Sequence, residues 1–336
     1  MYRTVLLLLT SSLLFFCSCG RDESYVRIEG FAQGGTYHVI CRPVQGVGEP
    51  ALRAAIDSRL LAIDGSLSGY NKGSLLSRLN AGEDLPLDPL FLACFTRSKE
   101  IWTETEGAFD PSAAPLFDLW GFGFSNKGNV TQAAIDSIRA FVGMDRLTLE
   151  ERADGTHLVK ADPRMKLNFN AIAQGYSCDV IAAYLDSLGC ENYLVDIGRE
   201  IRCKGKNAAG TLWRIGLDRP EDGNYEEGRN LQAILEVTDC GIVTSGNYRK
   251  FYVEDGQKYA HTIDPLTGRP VSHNLLSATI VAQDAATADA YATWMMVVGL
   301  DRARDILAAR PDLDALLVYD RDGQMQTFQT ANIKTQ

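Results

Sequence analysis

Apolar residues spaced three and four apart predict several amphipathic helices along the chain. They fall in residues 50–64, 88–105, 131–142, 171–188 and 301–309. A further helix at residues 286–299, ATADAYATWMMVVG, is apolar on nearly every side, which predicts that it is buried. It nevertheless carries an acid, Asp289, and a hydroxyl one turn later, Thr293. A structural explanation is that the helix dipole favours the Asp289 carboxylate in the first turn and that the Thr293 hydroxyl hydrogen-bonds to the backbone of its own helix. A functional explanation is that the two side chains bind a ligand.

Alternating apolar and polar residues predict strands over much of the remaining chain. Residues 25–43 alternate around the turn Gln33-Gly34-Gly35 and predict an N-terminal hairpin, and residues 313–319 and 324–328 predict a C-terminal one. The other predicted strands lie at residues 193–197, 212–217, 233–237, 250–253, 258–263 and 277–282, with shorter ones near Leu147, Leu158 and Leu167.

Two segments show no period. Residues 65–82 are rich in Gly and Ser, and residues 107–123, GAFDPSAAPLFDLWGFG, combine Gly, Pro and aromatic residues, which predicts an ordered, functional loop. Strands and helices do not alternate regularly, and no glycine fingerprint for a dinucleotide follows a strand, so a Rossmann sheet is not indicated. The prediction is a single α+β unit over residues 25–336, with largely antiparallel strands and packed helices.

The N-terminus has the composition of an export signal. Residues 1–18 place one early cation before an apolar run that is too short and too rich in hydroxyls for a membrane-spanning helix. The small residue before Cys19 resembles the lipobox of bacterial lipoproteins, with Cys19 as the lipidated residue and residues 19–24 as a tether. We expect an exported lipoprotein that faces the periplasm, with cell-surface exposure as a variant; a plainly secreted protein is the alternative.

The net charge limits the classes of binding partner, and the cysteine pattern limits the kinds of metal or redox site. A formal net charge of -10 argues against a nucleic-acid-binding or anionic-membrane surface, so the lipid would be the only membrane contact. Six cysteines follow Cys19, and none forms a C-x-x-C pair, so neither a zinc site nor a thioredoxin-like motif is indicated. An oxidising envelope would permit disulfides, but six cysteines allow fifteen connectivities and their spacing selects none, so buried free thiols are the default expectation.

Several polar groups have the composition of a nucleotide and metal site. Asp289, Ala292 and Thr293 share one helix face, and a carboxylate with a hydroxyl suits Mg²⁺ that is completed by water and substrate phosphate. In LNFNAIAQGYSCD, residues 167–179, amides at the predicted helix start could meet a phosphate and the Ala171 carbonyl a metal. An ordinary helix capped by Asn170 is the simpler alternative.

Histidine and aromatic residues add further candidates. His261 lies in a polar turn, where it could exchange a proton near neutral pH with Asp264 orienting it, although a lone histidine is more often structural. Phe109 and Asp110 could bind a flat ring by stacking and by its polar edge, or Phe109 could simply fill the core. Tyr70 follows a Ser-Gly turn that could itself be no more than a turn.

Eight motifs occur together in a specific order: GGTYHV, SGYNKGSLLSRLN, GAFDPSAAPLFDLWGFG, NAIAQGYSCD, VDIG, TSGNY, HTIDPLTG and DAYAT. The chain resembles the ApbE family, the FAD:protein FMN transferases, from about residue 34 to about residue 299. The resemblance implies an Mg²⁺-dependent enzyme that splits FAD, attaches FMN to a threonine hydroxyl of an acceptor protein and releases AMP. The implied acceptors are flavoproteins of the envelope, such as subunits of redox complexes.

The resemblance also implies roles for individual residues. The flavin-binding positions would be Gly34, Tyr70, Ala108, Phe109, Asp110, Asn168, Gln174 and Ile263. The metal-binding positions would be Ala171 through its carbonyl, Asp289 and Thr293 through their side chains, and Ala292, where the family often has an acid. His261 matches the histidine proposed to deprotonate the acceptor hydroxyl.

This chain departs from the family pattern at four places. Gly34-Gly35-Thr36 replaces Met-Gly-Thr, Gln174 replaces a charged residue, Asn168 replaces a frequent Asp, and Gly198-Arg199-Glu200 replaces a Gly-Gly-Asp-like run. Two other functions use the same residues: an FAD pyrophosphatase that releases free FMN and AMP, and a non-catalytic flavin-binding lipoprotein.

Overall fold

The computed structural model describes residues 25–221, 224, 228–247, 251–254 and 257–335. The predicted signal at residues 1–18 and tether at residues 19–24 lie outside the described residues. Within the part that is described, no helix combines the length and the apolar character needed to cross a bilayer.

Seven α-helices occur in the described residues. They are α1 (Glu49–Leu67), α2 (Leu75–Asn80), α3 (Pro89–Glu104), α4 (Ala114–Trp120), α5 (Gln132–Arg139), α6 (Ala173–Ser187) and α7 (Ala285–Ala309). Helix α7 joins the two helices predicted at residues 286–299 and 301–309. Gly299 has φ 78° there, which is left-handed backbone, so the predicted boundary is a kink rather than an end.

The strands form one large antiparallel sheet and four two-stranded ribbons. The large sheet contains β1 (Val26–Ala32), β2 (Gly35–Cys41), β5 (Tyr193–Ile197), β6 (Glu200–Lys204), β9 (Cys240–Gly246), β14 (Leu275–Ala282), β15 (Asp314–Arg321) and β16 (Gln324–Gln329), in that spatial order. The ribbons are β3 (Leu147–Arg152) with β4 (Gly155–Lys160), β7 (Trp213–Asp218) with β8 (Leu231–Val237), β10 (Phe251–Glu254) with β11 (Gln257–Ala260), and β12 (Ile263–Asp264) with β13 (Arg269–Pro270). The predicted α+β, largely antiparallel fold is confirmed.

Apolar side chains on both faces of the large sheet are covered. Helices α6 and α7 lie on one face, where Val195 of β5 and Val243 of β9 are buried. The ribbon of β7 and β8 covers the other face, where Cys203 of β6 packs with Trp213 and Leu235. The large sheet is therefore the middle layer of the fold. Alternate side chains of its strands pack against the layer on each face.

Some local predictions differ from the structure. The segment at residues 107–123 contains α4, because Pro115 in its first turn and Gly121 beyond its end suit a short helix. The Gly- and Ser-rich segment at residues 65–82 includes the end of α1 and all of α2. Leu167 lies outside the strands, and β6 and β9 were not predicted. Asn170 does not cap α6, whose N-cap is Ile172.

The two buried helices touch where α6 has no side chain. A Cβ placed on Gly175 would lie 2.2 Å from the carbonyl oxygen of Ala285 and 2.9 Å from Cβ of Asp289. Because real Cβ atoms do not approach that closely, only glycine allows α6 and α7 to cross at this separation. The contact brings the start of α6 against the first turns of α7.

Substitution of Gly175 tests this contact. We expect Gly175→Ala to lower the free energy of unfolding by about 1–3 kcal/mol, because the added methyl group must push the helices apart. Urea denaturation measures the change. Gly65→Ala is the matched control, since a Cβ on this exposed helical glycine meets nothing within 4 Å, and it should stabilise α1 by about 0.5–1 kcal/mol. Equal effects of the two substitutions would contradict the close crossing.

Candidate functional site

Asp289 is a buried carboxylate in the second turn of α7. Only 4% of the residue is exposed, and its Oδ2 accepts a hydrogen bond of 3.2 Å from the amide of Gly175. Burial raises the pKa of Asp289 to about 7, and that backbone hydrogen bond lowers it. A single backbone donor is little compensation for a buried charge, so the position favours a cation.

Oxygen atoms from β9 and from the segment before α6 lie near this helix. Thr293, one turn after Asp289, has its Oγ1 3.4 Å from Oγ of Ser245 in β9. The amide of Gly175 donates to Asp289, so it does not take the carbonyl of Ala171, its partner in a regular helix. Ala292 is fully buried and offers only a methyl group. The predicted metal ligands Asp289, Thr293 and Ala171 are thus brought to the start of α6 and α7.

Glu200 is a further acid that the sequence analysis did not select. It is the first residue of β6, and its Oε2 is buried without a hydrogen-bond partner. Burial first, and then the charge of Asp289, raise the pKa of Glu200 well above its usual value. The signal in the sequence was the Gly198-Arg199-Glu200 turn, where the acid ends a two-residue hairpin loop.

These residues fit a hard divalent cation that the substrate helps to bind. Among the described residues, no three His, Cys, Asp or Glu side chains lie close enough to form a metal site by themselves. The available ligands are oxygens: two carboxylates, a hydroxyl and a carbonyl. Mg²⁺ prefers such ligands, and it commonly takes the remainder from water and phosphate. The orphaned Oε2 of Glu200 is the observation that supports this fit.

Two hairpin turns meet beside the acids. Gln33 and Gly34 both have positive φ in the turn between β1 and β2, and Gln33 Nε2 donates to Ser177 Oγ at 2.7 Å. The amide of Gly198, in the next hairpin, donates to the carbonyl of Thr36 at 3.0 Å. A Cβ on Gly198 would lie 2.3 Å from Nε2 of Gln174. The predicted flavin residues Gly34 and Gln174 therefore lie at one end of the sheet.

Asp110 and Asn168 form a second polar group. Asp110 is buried and accepts hydrogen bonds from the amide and hydroxyl of Ser112 and from the indole of Trp102. Burial raises its pKa to about 6, although these donors oppose the shift. The amide of Asn168 donates to the carbonyl of Pro111 at 2.9 Å, which joins the two segments.

The other predicted flavin residues differ in exposure. Ala108 and Phe109 are buried in the main core, so their side chains are packed and their backbone is what remains for a ligand. Tyr70 is 63% exposed; its hydroxyl accepts a hydrogen bond of 3.1 Å from Nδ2 of Asn170. Asn170 thus links Tyr70 to the segment that contains Asn168.

His261 lies beside aromatic rings. It is partly exposed, and its ring is 6.4 Å from that of Phe122 in an edge-on arrangement. Phe122 stacks at 5.3 Å on Tyr252, which stacks at 5.2 Å on Tyr259; the sequence analysis did not select either tyrosine. The Asp264 carboxylate accepts from the amide of Leu266 at 2.9 Å, so it stabilises the turn.

One contact connects the histidine segment to the strand that contains Ser245. Thr262 Oγ1 donates to Asn247 Oδ1 at 2.7 Å, and Asn247 follows directly on β9, the strand of Ser245. Ile263 is buried against α4 with Leu116 and Trp120. Strand β9 therefore lies between Thr293 on α7 and the turn that contains His261.

Known proteins are similar to this chain over most of its length. The model of the ApbE family matches residues 33–317. The FAD:protein FMN transferase of Vibrio cholerae is 34% identical, over 96% of both chains, and that of Escherichia coli K12 is 30% identical, over 97% of this chain and 95% of the other.

Solved structures define the same fold class. The flavin transferase ApbE from Vibrio cholerae superimposes with a TM-score of 0.79 at 34% identity, over 91% of this chain and 97% of that one. The apo flavinyl transferase ApbE of Pseudomonas stutzeri gives 0.80 at 31% identity, over 91% and 95%. The fold is thus that of the flavin transferases. The chain belongs to the ApbE family.

The buried Asp110 predicts a pH dependence of stability. Its pKa is about 6 when folded and about 4 when unfolded, so the folded state binds the proton more tightly. The cost of the buried charge is present at pH 7 and is relieved as the pH falls through 6. Between pH 7 and pH 5 this residue should add about 1 kcal/mol to the free energy of unfolding, a gain that Asp110→Asn removes.

Urea titrations at the two pH values measure that difference. Asp136→Asn, on the exposed face of α5, is the control and should leave the wild-type gain intact. An Asp110→Asn protein that retains the full gain would show that Asp110 does not titrate in this range.

The orphaned carboxylate predicts a role for Glu200 in cation binding. We expect Glu200→Gln, which keeps the shape and removes the charge, to weaken Mn²⁺ binding by about 10-fold or more. Isothermal calorimetry with Mn²⁺ and FAD measures it directly. Glu236→Gln, on the exposed edge of β8, is the control. If both variants bind Mn²⁺ as the wild type does, Glu200 has no part in the site.

Proposed function

We propose that this chain transfers FMN from FAD to a threonine hydroxyl of an acceptor protein and releases AMP, with Mg²⁺ as the cofactor. Membership of the ApbE family and the relatives named FAD:protein FMN transferase support the flavin-transfer activity. The observation that carries the metal-dependent form is the buried Asp289, held near Thr293 and near Glu200, whose Oε2 has no hydrogen-bond partner.

The acidic residues could bind a cation, and that cation would offset the negative charge of the substrate. Asp289, Glu200, Thr293 and the Ala171 carbonyl would hold Mg²⁺. When bound, the cation would neutralise the FAD diphosphate and the charge that develops on the leaving AMP. The start of α6 adds backbone amides, which favour an anion at that end of the helix.

Flavin binding is assigned to the two polar groups on either side. Gly34 and Gln174 lie near the acids, and Asp110, Asn168 and Tyr70 lie along the second segment. Asp110 has a pKa of about 6, so its carboxyl group can either donate a hydrogen bond to the polar edge of the flavin ring or accept one from it. Ala108, Phe109 and Ile263 supply the apolar surroundings.

His261 is proposed as the base. Its imidazole would accept the proton of the threonine hydroxyl as the hydroxyl oxygen bonds to the phosphorus of the FMN half. The bond from that phosphorus to the bridging oxygen breaks, and AMP leaves with that oxygen. His261 stands in a partly exposed turn, which an acceptor protein can reach.

The location and the acceptors form part of the same proposal. An export signal at residues 1–18 and a lipid on Cys19 would anchor the enzyme to a bacterial envelope membrane, facing the periplasm. The sequence at those residues supports this. Acceptors would then be envelope flavoproteins such as redox-complex subunits.

Globomycin treatment, which blocks processing at a lipobox, should leave an unprocessed precursor.

Incubation with FAD, Mg²⁺ and an acceptor flavoprotein tests the reaction. We expect fluorescent flavin on the acceptor in denaturing gels and one AMP for each flavin attached. Asp289→Asn should lower the rate by at least about 100-fold, because charge neutralisation is lost. His261→Ala should lower it by about 100-fold while leaving FAD affinity unchanged, because only proton transfer is removed.

Asp305→Asn, an exposed acid later on α7, is the matched control and should transfer flavin at the wild-type rate. AMP and free FMN with no labelled acceptor would replace the proposal with an FAD pyrophosphatase. Bound FAD with no AMP would replace it with a flavin-binding lipoprotein.

A further inference from the structure

Four of the six cysteines after Cys19 are brought together as two thiol pairs. All six are buried and reduced in the structure. Cys178 donates its thiol to the carbonyl of Glu200, and Cys94 lies beside the hydroxyl of Ser98. The remaining four have another cysteine as a neighbour, which the spacing along the sequence did not reveal.

Cys203 and Cys240 face each other across two strands. They are directly opposed in the antiparallel pairing of β6 with β9, and their Sγ atoms are 3.9 Å apart. Directly opposed residues in such a pair have Cα atoms about 4.5–5.5 Å apart, which is within the range that a disulfide spans. Rotation of the two side chains is enough to bring the sulfur atoms to bonding distance.

Cys41 and Cys190 form the second pair. Cys41 ends β2, and Cys190 lies in the turn after α6, where its thiol donates to the carbonyl of Arg42, the residue that follows Cys41, at 3.6 Å. The turn is fixed by backbone pairing, since the amide of Arg42 donates to the carbonyl of Asn192 at 2.9 Å. The neighbouring Cys41 thiol lowers the pKa of Cys190 below its usual value, which favours the thiolate needed for disulfide exchange.

We propose that Cys203–Cys240 and Cys41–Cys190 are two disulfide-forming sites, closed when the chain folds in an oxidising compartment. In each, two thiols lose two protons and two electrons and gain a sulfur–sulfur bond. The electrons reduce a disulfide oxidant, either oxidised glutathione or a disulfide-exchange protein, to two thiols. Cys94 and Cys178 remain thiols.

The bonds would strengthen the joint in the large sheet that supports the site. Strands β6 and β9 pair over only three residues, yet they connect the strands near the N-terminus to those that follow β9. Glu200 is the first residue of β6, and Ser245 lies near the C-terminal end of β9. A bond at Cys203–Cys240 would fix the register of these strands, and Cys41–Cys190 would fix β2 to the neighbouring turn.

Peptide mapping without reduction tests the pairing. The full chain is folded with oxidised glutathione, alkylated in denaturant and digested, and linked peptides are identified by mass spectrometry. We expect Cys41 linked to Cys190 and Cys203 linked to Cys240, a loss of about 4 Da that dithiothreitol reverses, and alkylated Cys94 and Cys178. Reduction should lower the melting temperature by about 5 °C or more.

Cys203→Ser is the matched variant. It should remove the Cys203–Cys240 peptide, keep the Cys41–Cys190 peptide and halve the mass change. Linked peptides that include Cys94 or Cys178, or four unlinked thiols after oxidation, would overturn the proposal. These measurements use neither FAD nor an acceptor, so they are independent of the flavin-transfer reaction.

Discussion

The site depends on a carboxylate held in an apolar interior. Asp289 is buried where α6 and α7 cross, and the crossing is close enough only because residue 175 is glycine. The same glycine supplies the amide that donates to Asp289. One backbone donor does not offset the desolvation of a carboxylate, which is why burial raises its pKa. The helix contact thus creates an uncompensated acid, and a bound cation would remove that cost.

The antiparallel sheet determines which residues meet this acid. Strands β6 and β9 are neighbours in space although a ribbon and its connections separate them in sequence. Their pairing places Glu200 and Ser245 on adjacent strands, both beneath α7. The hairpins that follow β1 and β5 meet through the Gly198 amide and the Thr36 carbonyl. Local turns on a common sheet therefore gather residues that lie more than 200 positions apart.

The sequence predicted features that depend on local pattern. The helical period identified α1, α3, α5 and α6, and Gln33-Gly34 identified the first hairpin, because both signals lie within a few neighbouring residues. Asp289 and Thr293 were found because a polar pair on an apolar helix is conspicuous. Glu200 was not found, because an acid beside a polar turn has the sequence pattern of a solvated loop. Its burial depends on strand pairing between distant parts of the chain. The aromatic stack of Tyr252 and Tyr259 depends likewise on contact between distant segments.

The position of the acids also gives a physical reason for a neutral residue at position 174. Gln174 is a neutral side chain, and Glu200 supplies a carboxyl group in the adjacent hairpin. A Cβ on Gly198 would lie 2.3 Å from Nε2 of Gln174 and 3.2 Å from Oε2 of Glu200, so the two side chains approach the same point. A carboxylate at residue 174 would add repulsion to an acid whose Oε2 already has no hydrogen-bond partner. A neutral amide at residue 174 avoids this repulsion, and the negative charge offered to a cation comes from Asp289 on α7 and Glu200 on β6.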